Sequence, residues 1–144
     1  LLIAGKYDDP DYLSFIKKES KEMGVSDNVH LLGTVSEHEK SWYFNNCRAF
    51  AFPSVSEGFG LPVVEAMSCG KPLFLSDKTA LPEIGGDVSF YFNDFNSDNM
   101  QQVFNTGMEQ YDANGFQEKI KARGLGFNWH KSAKQYLEVY RSLY

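Results

Sequence analysis

The stretch PSVSEGFGLPVVEAMSCG, Pro53 to Gly70, decides the fold. A strand-like run, Arg48 to Phe52, leads into it, and a loop with two glycines follows. Pro62 then marks the first turn of a helix and Gly70 its stop. Two carboxylates, Glu57 and Glu65, flank the helix start, eight residues apart. A helix start offers N–H groups without intrahelical partners and the positive end of a dipole, which suits a phosphate. Carboxylates do not suit phosphate, so the two glutamates need other partners, and sugar hydroxyls are the natural ones.

Working outward, Leu1 to Ala4 reads as a strand buried on both faces. Asp9 with Pro10 opens a helix with Tyr12, Leu13, Ile16 and Met23 on one face, and Gly24 ends it. Val29 to Leu32 is the second strand. Ser36 and Glu39 form a capping box for a helix carrying Tyr43 and Phe44. Beyond the central stretch, Pro72 to Ser76 and Ser89 to Phe92 are further strands. Helices follow at Ser97 to Tyr111, Asn114 to Arg123 and Asn128 to Tyr144, the last with an apolar stripe (Trp129, Ala133, Tyr136, Leu137, Tyr140, Leu143) read as packing. Strands alternating with helices imply βαβ units, hence an α/β, Rossmann-like parallel sheet flanked by helices on both faces, expected as one domain over residues 1–144. Ligands of such sheets bind beyond the carboxyl ends of the strands, so the loops after Ala4, Leu32, Phe52 and Ser76 are the ones to watch.

Composition narrows the function. A formal net charge of −5 argues against nucleic acid or an anionic membrane surface as the main partner. Cys47 and Cys69 lack metal-site spacing and fit a reducing compartment, and His30, His38 and His130 suggest no metal site. No run approaches about 20 apolar residues and no signal peptide is evident, so a cytoplasmic location is expected. The chain opens on a strand without an initiator Met, as expected of a piece of something longer.

Three readings of the central stretch compete. As a dinucleotide fingerprint, Gly58 and Gly60 lack their third glycine, because Val63 stands there, and Glu57 would repel a pyrophosphate. As a phosphoacceptor domain, Asp8 and Asp9 supply an acidic pair, but no aspartate follows Phe52. The third reading is a nucleotide-sugar site.

Here the chain becomes identifiable by likeness. The string EGFGLPVVEAMSCGKP, with Pro53-Ser54 before it and Ser76-Asp77 and Leu81-Pro82-Glu83 after it, resembles the donor domain of the retaining glycosyltransferases with two Rossmann-like halves (the GT-B fold, family 4 type). The likeness runs from Leu1 to the Phe127-Asn-Trp129 segment. It implies transfer of a hexosyl group from a nucleoside diphosphate sugar to an acceptor hydroxyl, with retention and with no cofactor or metal. Glu57 matches the glutamate that lies against the transferred sugar and matters for catalysis. Gly58, Phe59, Gly60 and Leu61 match the loop that approaches sugar and diphosphate. Glu65 matches the glutamate that takes the ribose hydroxyls. Val35 matches the base pocket, and Lys40, one turn into the next helix, is a hint of guanine. The family's Arg and Lys for the diphosphate have no match here. Nor has its N-terminal acceptor half, so the chain alone is expected to bind donor without turning it over. A glycan or lipid-linked acceptor fits, with peripheral docking of the whole enzyme on a membrane. The alternatives are a nucleotide-sugar-binding regulatory module without turnover and a dinucleotide-binding oxidoreductase domain.

Overall fold

The computed structural model describes residues 1–113 and 115–143; the expected helix start at Asn114 and helix end at Tyr144 lie outside them. The chain divides into two compact units, Leu1–Tyr43 and Phe44 onward.

In the first unit, β1 (Leu2–Ala4) runs parallel to β2 (His30–Gly33). Between them lies α1 (Pro10–Glu22). Asp9 caps it as the sequence requires: its side chain accepts from the amides of Asp11 (2.9 Å) and Tyr12 (3.1 Å). The Tyr7 hydroxyl ties the sheet end, accepting from the Gly33 amide (2.7 Å) and donating to Ile3 O (3.2 Å). The capping box at the start of α2 (Glu37–Asn46) also forms, with the Ser36 amide donating to Glu39 Oε2 (2.8 Å) and the Glu39 amide to Ser36 Oγ (3.3 Å). The expected two-sided burial of the first strand does not hold. Leu2 is 48% exposed, because β1 has β2 as its sheet neighbour and α1 buries none of its own residues.

The second unit is built on a parallel sheet in the order β3 (Phe50–Phe52), β4 (Leu73–Ser76), β5 (Phe90–Phe92). The strands therefore form two parallel sheets rather than one continuous ladder. All four residues of β4 are buried. Side chains alternate across a strand, so Leu73 and Leu75 join one apolar cluster and Phe74 the other. The first cluster packs against α3 (Leu61–Ser68), α4 (Leu81–Gly85) and α6 (Phe116–Leu125) through Val63, Met67, Leu81, Ile84 and Ile120. The second packs against α5 (Ser97–Ala113) through Met108 and Val103. Helices thus cover both faces of this sheet.

The structure adds one element and changes one expectation. Leu81-Pro82-Glu83, given no element in the sequence reading, is the first turn of α4. The last helix, α7 (Trp129–Ser142), buries none of its residues: Trp129 is 83% exposed, so its apolar stripe does not pack as expected. Its cap was legible, for Asn128 Oδ1 accepts from the Lys131 amide at 2.9 Å.

Candidate functional site at the start of α3

β3 ends at Phe52, and the chain crosses to α3 through residues 53–60. Gly60 ends that loop with φ +94°, a backbone that L side chains rarely adopt. A Cβ there would stand 3.0 Å from Leu81 Cδ2, so the glycine also lets the turn lie against α4. Pro62 carries no N–H, and the Val63 amide donates to Gly60 O (2.9 Å). Neither Pro62 nor Val63 therefore adds a donor at this helix start, where the positive end of the helix dipole lies. Around the position of a Gly58 Cβ no atom lies within 4 Å, so the main chain there is open to approach.

The loop is held from three sides. Ser76, buried at the end of β4, donates from Oγ to Ser54 O. Thr79, in the loop after β4, accepts at Oγ1 from the Glu57 amide at 3.0 Å. Phe59 meets the ring of Phe127 edge-on. Farther back, Arg123 on α6 donates to the carbonyls of Ile84 (2.7 Å) and Glu83 (2.6 Å), fixing α4 behind the loop.

The expected site residues of the second unit fall within one βα connection. Glu57 is half-buried in the loop, while Phe59 and Leu61 are exposed at 42% and 57%. Glu65 stands on the first turns of α3, half-buried, with its Oε2 out of contact with solvent. It is flanked by Val64, packed against the core, and the fully buried Ala66. In the first unit Val35 is half-buried between β2 and α2, and Lys40 pairs through Nζ with Glu37 (2.9 Å). Sequence reasoning missed Thr79, Ser76 as a tether, and Arg123. A threonine in the left-handed region, φ +51°, carries no local signal that would have marked it.

A separate depression of about 440 Å³ lies on β5 and α5, bordered by Asn93, Asn99, Gln102 and Thr106, and includes none of the expected site residues. Among the described residues no helix is long and apolar enough to cross a membrane.

Comparison with known proteins matches this architecture. The chain is similar to O-antigen chain mannosyltransferase B of Escherichia coli, at 32% identity over 119 residues, covering 80% of this chain and 30% of that protein. It is similar to serotype-specific mannosyltransferase WbdA of Escherichia coli, at 30% identity over 139 residues, covering 93% of this chain and 17% of that one. The chain thus spans less than a third of the length of either relative. Among solved structures, Anabaena Alr3699/HepE in complex with UDP-glucose superposes with a TM-score of 0.84 at 22% identity, over 98% of this chain and 40% of that one. That likeness places the fold with the Rossmann-like halves of GT-B glycosyltransferases. The family model described as glycosyl transferases group 1 matches residues 1–122, and to that family this chain belongs.

Proposed function

We propose that the chain is the donor-binding half of a retaining, family 4 type glycosyltransferase, one domain of a longer enzyme whose acceptor half lies outside it. One observation carries the reading: Glu57 and Glu65 stand on either side of a glycine-permitted turn into α3, with main-chain donors between them. A nucleoside diphosphate sugar presents groups in the same order, with sugar hydroxyls, an anionic diphosphate and two ribose hydroxyls. Glu57 takes the hydroxyls of the transferred sugar and is the catalytic residue of this half. Gly58, Phe59, Gly60 and Leu61 approach the sugar and diphosphate through their amides. Glu65 accepts from the ribose hydroxyls. Val35 and Lys40, on the first unit, keep the base-contact role the resemblance gives them, as a separate proposal.

Breaking the sugar–phosphate bond builds charge on the leaving diphosphate. Preorganised dipoles stabilise that charge without reorganising, and removing one such donor in other enzymes costs about 3–4 kcal/mol of barrier. The α3 start supplies part of this. The remaining positive charge is assigned to residues outside this chain, and no metal ion is given a part, so activity should survive chelation by EDTA. The donor sugar is assigned as mannose, since the relatives named above are mannosyltransferases, and Lys40 points to guanine as the base. The acceptor is a growing glycan or lipid-linked sugar, and the enzyme works in the cytoplasm, from which it can dock on a membrane.

The test is Glu57→Gln in the full-length protein, assayed with GDP-mannose. Loss of a charge-assisted hydrogen bond to the reacting sugar should lower kcat at least about tenfold. Unaltered transfer would remove Glu57 from catalysis. The anomeric configuration of the product, read by NMR, tests retention.

A further inference from the structure

Two loops at the carboxyl ends of adjacent strands are joined side chain to main chain. After β3 comes the loop bearing Glu57; after β4 comes Asp77-Lys-Thr-Ala80. Ser76 Oγ donates to Ser54 O, and the Lys78 amide donates back to Ser76 Oγ at 3.3 Å. Twenty-two residues along the chain from Glu57, Thr79 Oγ1 accepts from the Glu57 amide at 3.0 Å. Thr79 is the one non-glycine residue with positive φ among the described residues, at φ +51°. A β-branched residue is disfavoured in that region, and such a conformation persists only where its surroundings hold it. Thr79 is nevertheless exposed, so burial of its side chain does not explain its presence.

We infer that Thr79 is a positioning residue for Glu57: its hydroxyl oxygen anchors the Glu57 main chain and so sets where that carboxylate stands at the mouth of α3. The inference rests on the proposed role of Glu57. Three consequences follow from the chemistry. Serine keeps the acceptor oxygen and should preserve the anchor. Valine keeps the shape and removes the acceptor. Glycine removes the acceptor but accepts positive φ without strain, so a loss there cannot be put down to backbone strain.

The experiment compares Thr79→Ser, Thr79→Val and Thr79→Gly with Glu57→Gln in the full-length protein. Two readouts are taken: amide hydrogen exchange at Glu57, and kcat and KM with GDP-mannose. The expected result is Glu57 exchange about tenfold faster in the valine and glycine variants and unchanged in the serine variant. The kcat should fall about tenfold in the same two variants, with KM within about twofold, and be restored by serine. Unchanged exchange at Glu57 in Thr79→Gly overturns the anchor whichever donor the enzyme uses. If Glu57→Gln loses transfer while Thr79→Gly keeps it, positioning by Thr79 is overturned and the role of Glu57 stands. If Glu57→Gln keeps transfer, the role of Glu57 falls, and with it this inference.

Discussion

Phe127 meets Phe59 edge-on, with ring centroids 5.9 Å apart and planes at 85°. The contact brings the segment after α6 onto the loop that bears Glu57, and the Arg123 guanidinium lies over the Phe127 ring, 5.9 Å from its centroid. Edge-to-face pairs add about 0.5–1.5 kcal/mol beyond the area they bury. Phe127→Ala should therefore lower unfolding free energy by about 1–2 kcal/mol, read from urea midpoints, and speed exchange of the Phe59 amide. Phe127→Leu should recover most of the stability.

Arg123 acts as a cap for a helix to which it does not belong. Its guanidinium satisfies two carbonyls at the end of α4, which a five-residue helix leaves without intrahelical donors. Arg123→Met should cost about 1.5–3 kcal/mol, the range for a hydrogen bond that involves a charged group, with the part-buried bond to Ile84 O contributing most. Lysine should recover little, because it cannot fork to both carbonyls. Gly86 has φ +56°, and a Cβ there would stand 2.3 Å from Arg123 Cζ, so Gly86→Ala should lose more than Arg123→Met in the same denaturation assay, through backbone strain added to displacement of the guanidinium.

Gly107 shows how closely α5 lies on the sheet. A Cβ there would come within 2.6 Å of Phe74 and 2.7 Å of Phe90. Alanine is the better helix former, by about 1 kcal/mol, but the rings would have to move. Overpacking of this kind costs about 1–3 kcal/mol, so Gly107→Ala should be destabilising overall. A raised melting temperature would contradict the packing described for the Phe74 cluster.

The start of α2 should respond to pH. Hydrogen bonds from the Ser36 side chain and amide hold the Glu39 carboxyl below the usual carboxylate range. A depressed folded-state pKa contributes stability that is full above the unfolded value and lost as pH falls through the folded one. The amides at the start of α2 should accordingly lose protection on acidification through and below the usual carboxylate range, without change toward neutrality. Ser36→Ala should move the Glu39 titration, followed by carboxyl carbon NMR, upward toward the ordinary glutamate value.

Much of this was legible in the residues themselves. Asp9 with Pro10, Ser36 with Glu39 and Asn128 before Trp129 mark helix starts because each depends on bonds made within four residues. Gly60, Pro62 and Gly70 bracket α3 for the same reason. What the sequence did not display depends on long-range geometry. The split into two sheets turns on which strands find each other, and the exposure of Leu2 follows from it. The apolar stripe of α7 reads like any core-facing helix, because periodicity reports amphipathicity and not what covers it. At the site, the E-x7-E spacing and the glycine loop could be read directly. The tethers from Thr79, Ser76 and Arg123 could not, because each joins residues more than twenty positions apart.

In the proposed function a nucleoside diphosphate sugar seats at the mouth of α3 with Glu65 on its ribose. Thermal shift of the full-length protein against GDP-mannose, UDP-glucose and ADP-glucose, with Glu65→Ala run in parallel, is the decisive measurement. A ligand that binds the folded state at about 100 times its dissociation constant adds about 2.7 kcal/mol of stability. The melting temperature should rise by several degrees with one of these donors, GDP-mannose first, and the rise should shrink by at least half in Glu65→Ala. A flat panel, or a rise of equal size in the variant, would contradict it.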